Sequence, residues 1–86
     1  MPEISRFYGI IIRMYFDDHA PPHFHAYYGE HEALIDLNTL AVLYGKLPAR
    51  ALGLTVEWAN LNQAALLNAW EKAKNLEDPG KIDPLV

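Results

Sequence analysis

His23-Phe24-His25-Ala26-Tyr27-Tyr28-Gly29-Glu30-His31-Glu32-Ala33-Leu34-Ile35-Asp36-Leu37 is the stretch that decides the fold of this 86-residue chain. Two runs rich in aromatic and aliphatic residues flank Gly29-Glu30, and a glycine in the first central position suits a two-residue type II′ hairpin turn. That turn dictates the register. Tyr28 faces His31, Tyr27 faces Glu32, Ala26 faces Ala33, His25 faces Leu34, Phe24 faces Ile35 and His23 faces Asp36. Alternation along each strand then sorts the side chains. Phe24, Ala26, Tyr28, Ala33, Ile35 and Leu37 share a mostly apolar face. His23, His25, Tyr27, Glu32 and Asp36 share the other, pointing away from the core.

Working outward, Gly9-Ile10-Ile11-Ile12-Arg13-Met14-Tyr15-Phe16 is β-branched and aromatic, with Ile10, Ile12, Met14 and Phe16 alternating against Ile11, Arg13 and Tyr15. It reads as a strand. Ile4-Ser5-Arg6-Phe7 reads as a short edge strand, set apart by the turn-prone Tyr8-Gly9. On the other side, Thr39-Leu40-Ala41-Val42-Leu43-Tyr44 is a further strand, closed by Gly45. From Pro48 the period changes, and proline suits a first helical turn because its missing N–H is not needed there. Leu52, Val56 and Ala59 form one apolar stripe of this helix, and Leu54, Trp58 and Leu61 form a second beside it. A second helix follows Asn60 and Asn62, either of which can cap it, with Asn60 to Gln63 at capping-box spacing. Leu66, Ala69, Trp70 and Ala73 make its buried stripe. Pro79-Gly80 forbids continuation.

The expected fold class is therefore α+β: an antiparallel sheet of three to five strands in residues 1–45, covered on one face by two C-terminal helices in residues 48–76. Residues 77–86 form an extended tail or a short edge strand. A chain this short makes one small domain and buries only about 60 to 65% of its unfolded surface. Its hydrophobic content of 51% and charged content of 21% are those of an ordinary globular protein. There is no cysteine, which removes disulfides and thiolate metal sites. The opening residues lack the order of a signal peptide and no apolar run approaches a membrane span, so the expected location is cytoplasmic, with no membrane partner. A net charge of −4 and seven scattered basic residues disfavour nucleic acid except as a substrate at a small local site.

Chemistry concentrates in Asp17-Asp18-His19-Ala20-Pro21-Pro22-His23-Phe24-His25, which holds three of the four histidines. Imidazole titrates near neutral pH and is the commonest metal ligand. One reading is a divalent-metal site, zinc for example, built from His19, His23 and His25 with Asp18, and Asp17 beside it. Three nitrogen ligands with an open position would make such a site catalytic. A second reading is metal-free acid-base chemistry among the same histidines, with Asp36 or Asp18 fixing a tautomer and Arg13 placed as the cation beside a phosphate. The third is structural, with the histidines as cross-strand packing and His23 bonded to Asp36. Pro21-Pro22 enforces an extended loop in all three, and sequence leaves the cis or trans state of each open.

A competing pattern, residues 49–56 with Gly53 in a turn and Thr55 as a cap, resembles a helix-turn-helix. Its chemistry argues against DNA, since the supposed recognition helix brings Glu57 and no basic residue before Lys72 to the phosphates.

Ile4-Ser5-Arg6-Phe7-Tyr8-Gly9-Ile10, Asp18-His19-x-Pro21-Pro22-His23-Phe24-His25, Gly45-Lys46-Leu47-Pro48, Glu57-Trp58, Asn68-x-Trp70 and Ile82-x-Pro84-Leu85 together resemble the small bacterial proteins grouped as domain of unknown function 4160. That family tends to place asparagine directly before the tryptophan, whereas Asn68 stands two positions before Trp70. The family has no established activity. Its members often stand beside a second small protein, of domain of unknown function 2442, in suspected toxin-antitoxin pairs. The resemblance thus implies a candidate toxin partnered by a co-encoded small protein, and the histidine cluster gives the first hypothesis its chemistry, a hydrolase or RNase-type toxin acting through His19, His23 and His25. The alternatives are a non-enzymatic interaction module, homo-oligomeric or bound to that partner, and a metal-binding domain using the same histidines.

Overall fold

A computed structural model describes residues 3–16 and 18–86 of the chain. Five strands, β1 (Glu3–Phe7), β2 (Ile10–Arg13), β3 (His23–Tyr28), β4 (His31–Asp36) and β5 (Val42–Lys46), precede two helices, α1 (Ala49–Leu61) and α2 (Gln63–Lys74). The sheet is an antiparallel meander in sequence order, β1 to β5. This is the expected α+β arrangement.

The central hairpin pairs as the turn chemistry requires. All six partners from His23 with Asp36 to Tyr28 with His31 stand in the expected register. Gly29 takes a positive φ of 58°, which an L-residue adopts only at a cost, while Glu30 does not. Tyr8 and Gly9 both have positive φ, and they join β1 to β2 with Phe7 opposite Ile10. In β2, Arg13 stands opposite His25 and Ile12 opposite Ala26, so Arg13 shares the histidine face and Ile12 the core face.

Alternation produces the core. Ile4, Ile10, Ile12, Phe24, Ala26 and Ile35 are fully buried on one sheet face. Trp58 of α1 packs on it, with its ring 5.2 Å from Phe7 and 5.9 Å, edge-on, from Phe24. Leu66, Ala69, Trp70 and Ala73 of α2 are buried in the same cluster, the stripe expected from their spacing. The tail lies against β1, where the Ile82 amide donates to the Ile4 carbonyl at 2.7 Å. The Trp58 indole N–H donates to the Asp83 carbonyl at 2.8 Å, holding the tail beside α1.

Several local expectations are corrected. Strand β2 ends at Arg13 rather than running to residue 16, although Met14 keeps the alternation and is fully buried. Phe16, expected on the apolar face, is exposed, because the chain has already left the ladder. Strand β5 is Val42–Lys46, starting three residues and ending two residues later than read, because residues 37–41 form a loop built on Asp36. Gly45 lies inside β5 with φ 80°, at a place where a Cβ would collide with the Glu32 carbonyl oxygen of β4. In α1 the buried residues are Ala51, Thr55, Trp58 and Ala59, while Leu61 is 69% exposed. Thr55 tolerates burial because its hydroxyl donates to the Ala51 carbonyl. The helix is unbroken through Gly53 and Thr55, so residues 49–56 do not form the turn of a helix-turn-helix. Asn60 lies within α1, and Asn62, at the N-cap of α2, turns its amide back to the Trp58 carbonyl instead of capping forward. Gln63 ties α2 to the sheet, donating to the Leu37 and Asn38 carbonyls.

Candidate functional site

Three elements meet at the histidine face. Strand β3 carries His23 and His25 at i and i+2, so both rings project to the same side. The segment between β2 and β3 turns back over that side and delivers Asp18. The Ala20–Pro21 peptide is cis. Asp18 Oδ2 lies 3.0 Å from His23 Nε2 and 3.2 Å from His25 Nε2, and the two imidazole centroids are 5.3 Å apart. The donor atoms of Asp18, His23 and His25 all lie within 4.8 Å of one another, a spacing that could hold a metal ion.

Outer partners orient each of the three. His23 Nδ1 is 2.7 Å from the Pro21 carbonyl oxygen, which can only accept, so Nδ1 donates there and Nε2 is the nitrogen turned toward Asp18. His25 Nδ1 is 3.2 Å from Glu32 Oε2 and its Nε2 is 3.2 Å from Asp18 Oδ2, so a carboxylate faces each nitrogen of this ring. Asp18 Oδ1 accepts the His19 backbone N–H at 2.9 Å. Burial works against ionisation of Asp18. The His19 amide, the His25 hydrogen bond and the charge of the two imidazoles outweigh it and hold the carboxyl below its ordinary range.

Aromatic rings wall the cluster. Tyr15 stands edge-on to the His25 ring at 4.4 Å, and Tyr27 lies parallel to it at 6.3 Å. The Tyr15 and Tyr27 hydroxyls are hydrogen-bonded to each other. Burial, then the bond to Tyr15 and the nearby Glu32 carboxylate, pushes the Tyr27 phenol above its ordinary value, so it stays protonated near neutral pH. On the far side, Trp70 closes over His23, with ring centroids 5.2 Å apart. His23 is therefore buried, not solvent-facing as its strand parity suggested.

The residues singled out in the sequence separate here. His23, His25 and Asp18 come together. His19 does not join them: its side chain is exposed, and its backbone N–H is what reaches the cluster. Asp36 stands opposite His23, but its Oδ1 accepts the Asn38 and Thr39 backbone N–H groups at 2.7 and 2.9 Å. The expected His23–Asp36 bond gives way to this turn, and Pro21 and Asp18 take both nitrogens of His23. Arg13 lies beside the cluster, opposite His25, with its guanidinium carbon 5.7 Å from the Tyr27 ring centroid. Asp17 lies outside the described residues. Sequence reasoning missed three partners: Glu32 as the orienting carboxylate of His25, the Pro21 carbonyl and Trp70. Glu32 alone had a signal, its place on the histidine face. The other two depend on a loop path and a helix placement that no local pattern encodes.

The family model described as Domain of unknown function (DUF4160) matches residues 9–71, most of the chain. The chain belongs to this family. A search of curated proteins and a search of solved structures each found no match. Family membership brings no activity with it, so function must be argued from the Asp18–His23–His25 cluster. No helix is long and apolar enough to cross a membrane among the described residues.

Proposed function

We propose that this DUF4160 domain holds a divalent cation, zinc for example, through Asp18 Oδ2, His23 Nε2 and His25 Nε2, and uses it for hydrolysis. One observation carries the reading. With Nδ1 of His23 held by the Pro21 carbonyl and Nδ1 of His25 facing Glu32, the Nε2 atoms of both rings converge on one oxygen of the Asp18 carboxylate. With both imidazoles neutral, their Nε2 lone pairs would stand against that carboxylate oxygen and repel it. The repulsion is relieved by two added protons, which would place charge on a buried His23, or by one cation shared among the three. Ligands about 2.0–2.1 Å from a tetrahedral zinc stand roughly 3.3 Å from each other. The Nε2–Oδ2 distances of 3.0 and 3.2 Å suit that spacing.

The outer contacts support the same reading, since metal-bound histidines characteristically donate their second N–H to a carbonyl or carboxylate. Three protein ligands leave one position for water, whose pKa a bound zinc lowers toward neutrality. Isothermal titration of the metal-free, untagged protein with zinc tests the proposal. One equivalent should bind, and Asp18→Asn and His25→Ala should each weaken it by about 10-fold or more. Absence of binding to the folded wild-type protein overturns it.

The toxin role and the co-encoded partner rest on the family resemblance and are proposed on that basis. Overexpression should arrest growth, and H25A should relieve the arrest without loss of folded protein. Arrest unchanged in H25A would point to the second reading, a non-enzymatic interaction module. The observation favouring that reading is β5, an edge strand on which Val42, Leu43 and Tyr44 are all exposed. An interaction module would bind the co-encoded protein equally well with or without the histidine substitutions, measured by pull-down of the two purified chains.

A further inference from the structure

We infer that Arg13 is the anion-binding arm of this site and that the site takes a phosphate ester. The inference rests on the proposed metal centre for the second point of attachment, and on Arg13 for the first.

Arg13 is half-buried on the histidine face, opposite His25 in the β2–β3 ladder. Opposed residues in such a pair have Cα atoms about 4.5–5.5 Å apart, which puts the two side chains side by side. Among the described residues its guanidinium forms no hydrogen bond and no ion pair, and its Nε is shut off from solvent without an acceptor. Glu3 stands opposite Arg13 in the β1–β2 ladder, but its carboxylate is taken by Arg6 at 2.7 Å. An arginine that is half-buried and unpaired leaves donors unsatisfied at a cost, and a fixed position makes those donors ready for an incoming anion. Tyr27 supplies the fixed position. Its ring lies under the guanidinium and parallel to the His25 imidazole, and its hydroxyl is tied to Tyr15.

The planar fork of a guanidinium matches the oxygens of phosphate or carboxylate in pairs. A tetrahedral phosphoryl group can keep one oxygen on the open metal position and offer two others to Arg13. A carboxylate has only two oxygens to divide between them. The acidic chain, at net charge −4, disfavours a long polyanion held by distributed charge, so binding must come from this local pair of attachment points.

Phenyl phosphate is the probe, with benzoate as its carboxylate counterpart, on wild-type protein and on Arg13→Gln and Arg13→Lys. On zinc-loaded wild type, phenyl phosphate should shift the Arg13 Nε–H resonance and bind more tightly than benzoate. Its affinity should fall about 10- to 100-fold in R13Q, and R13K should lie between, since lysine keeps the charge and loses the fork. Zinc affinity should be equal in all three. An unmoved Arg13 resonance in the wild type, or equal phenyl phosphate affinity in wild type and R13Q, overturns the inference, whatever zinc does. Benzoate binding as tightly as phenyl phosphate overturns the substrate class. Phenyl phosphate binding at Arg13 in a protein that takes up no zinc upholds the anion arm and sinks the metal centre instead.

Discussion

Replacing Gly45 by alanine isolates how much of the β4–β5 pairing depends on one missing side chain. Gly45 sits inside the edge strand with φ 80°, opposite Ala33. Two costs add there. An L-residue held in the left-handed region loses about 1–2 kcal/mol. The new Cβ would also overlap the Glu32 carbonyl oxygen and press to 3.1 Å from the Ala33 Cα. Both are backbone atoms of the paired strand, so no side-chain rotation relieves them, and forcing extra volume into a packed place costs about 1–3 kcal/mol more. The sum is about 2–5 kcal/mol. A domain of this size has about 4–13 kcal/mol in total. Gly29→Ala separates the two terms, because Gly29 shares the positive φ of 58° but a Cβ there meets nothing within 4 Å. It should cost about 1–2 kcal/mol. Gly53→Ala, within α1 and equally unobstructed, should stabilise by about 0.5–1 kcal/mol. Urea unfolding followed by far-ultraviolet circular dichroism measures all three, with melting shifts of about 4–8 °C per kcal/mol as a check. If G45A proves no worse than G29A at equal m-value, the collision with β4 is not real and the β5 placement is wrong.

Asp36 should behave as a turn-holding carboxylate. The Thr39 and Asn38 backbone N–H groups hold it ionised and below its ordinary value of 3.8, with burial opposing. A depressed folded-state value contributes stability above the unfolded value that is lost as pH falls through the folded one. Asp36→Ala should therefore cost about 1–2 kcal/mol near pH 7. The difference from wild type should shrink as pH drops below about 4, and a gap that stays constant to pH 2 would contradict the assignment. Zinc at 100 times its dissociation constant should raise unfolding stability by about 2.7 kcal/mol in the wild type, reversibly with chelator, and by about 1.4 kcal/mol or less in D18N at the same zinc concentration, given its 10-fold or greater loss of affinity. Equal melting temperatures for wild type with and without zinc would argue against folded-state binding.

Much of this protein is readable before any folding is considered. The Gly29-Glu30 turn and the period-2 alternation around it act over a few residues, and together they determine the whole β3–β4 register and the shared side of His23 and His25. The 3.6-residue spacing of Leu66, Ala69, Trp70 and Ala73 likewise determines the buried stripe of α2. Where local signals compete, the reading slips. Residues 39–41 have strand character, but Asp36 captures two backbone amides and delays β5. Leu61 is apolar yet exposed, while the hydroxyl of Thr55 bonds its own helix and lets it take the core place.

Sequence alone thus determines where the histidines cluster and that His23 and His25 share one face of β3. Tertiary structure decides which of them meet. Asp18 rather than His19 reaches the two imidazoles, because the path of the segment between β2 and β3 sets the distance and Asp18 is the residue it turns inward. Trp70, some 47 residues from His23 in sequence, buries that histidine because α2 packs beside the strand. Among the described residues Arg13 is left unpaired, because Tyr27 lies beside its guanidinium and the carboxylate of Glu3, opposite it in the ladder, is held by Arg6. Short-range periodicity encodes direction, while the convergence of distant side chains depends on loop paths and packing that only the folded chain settles.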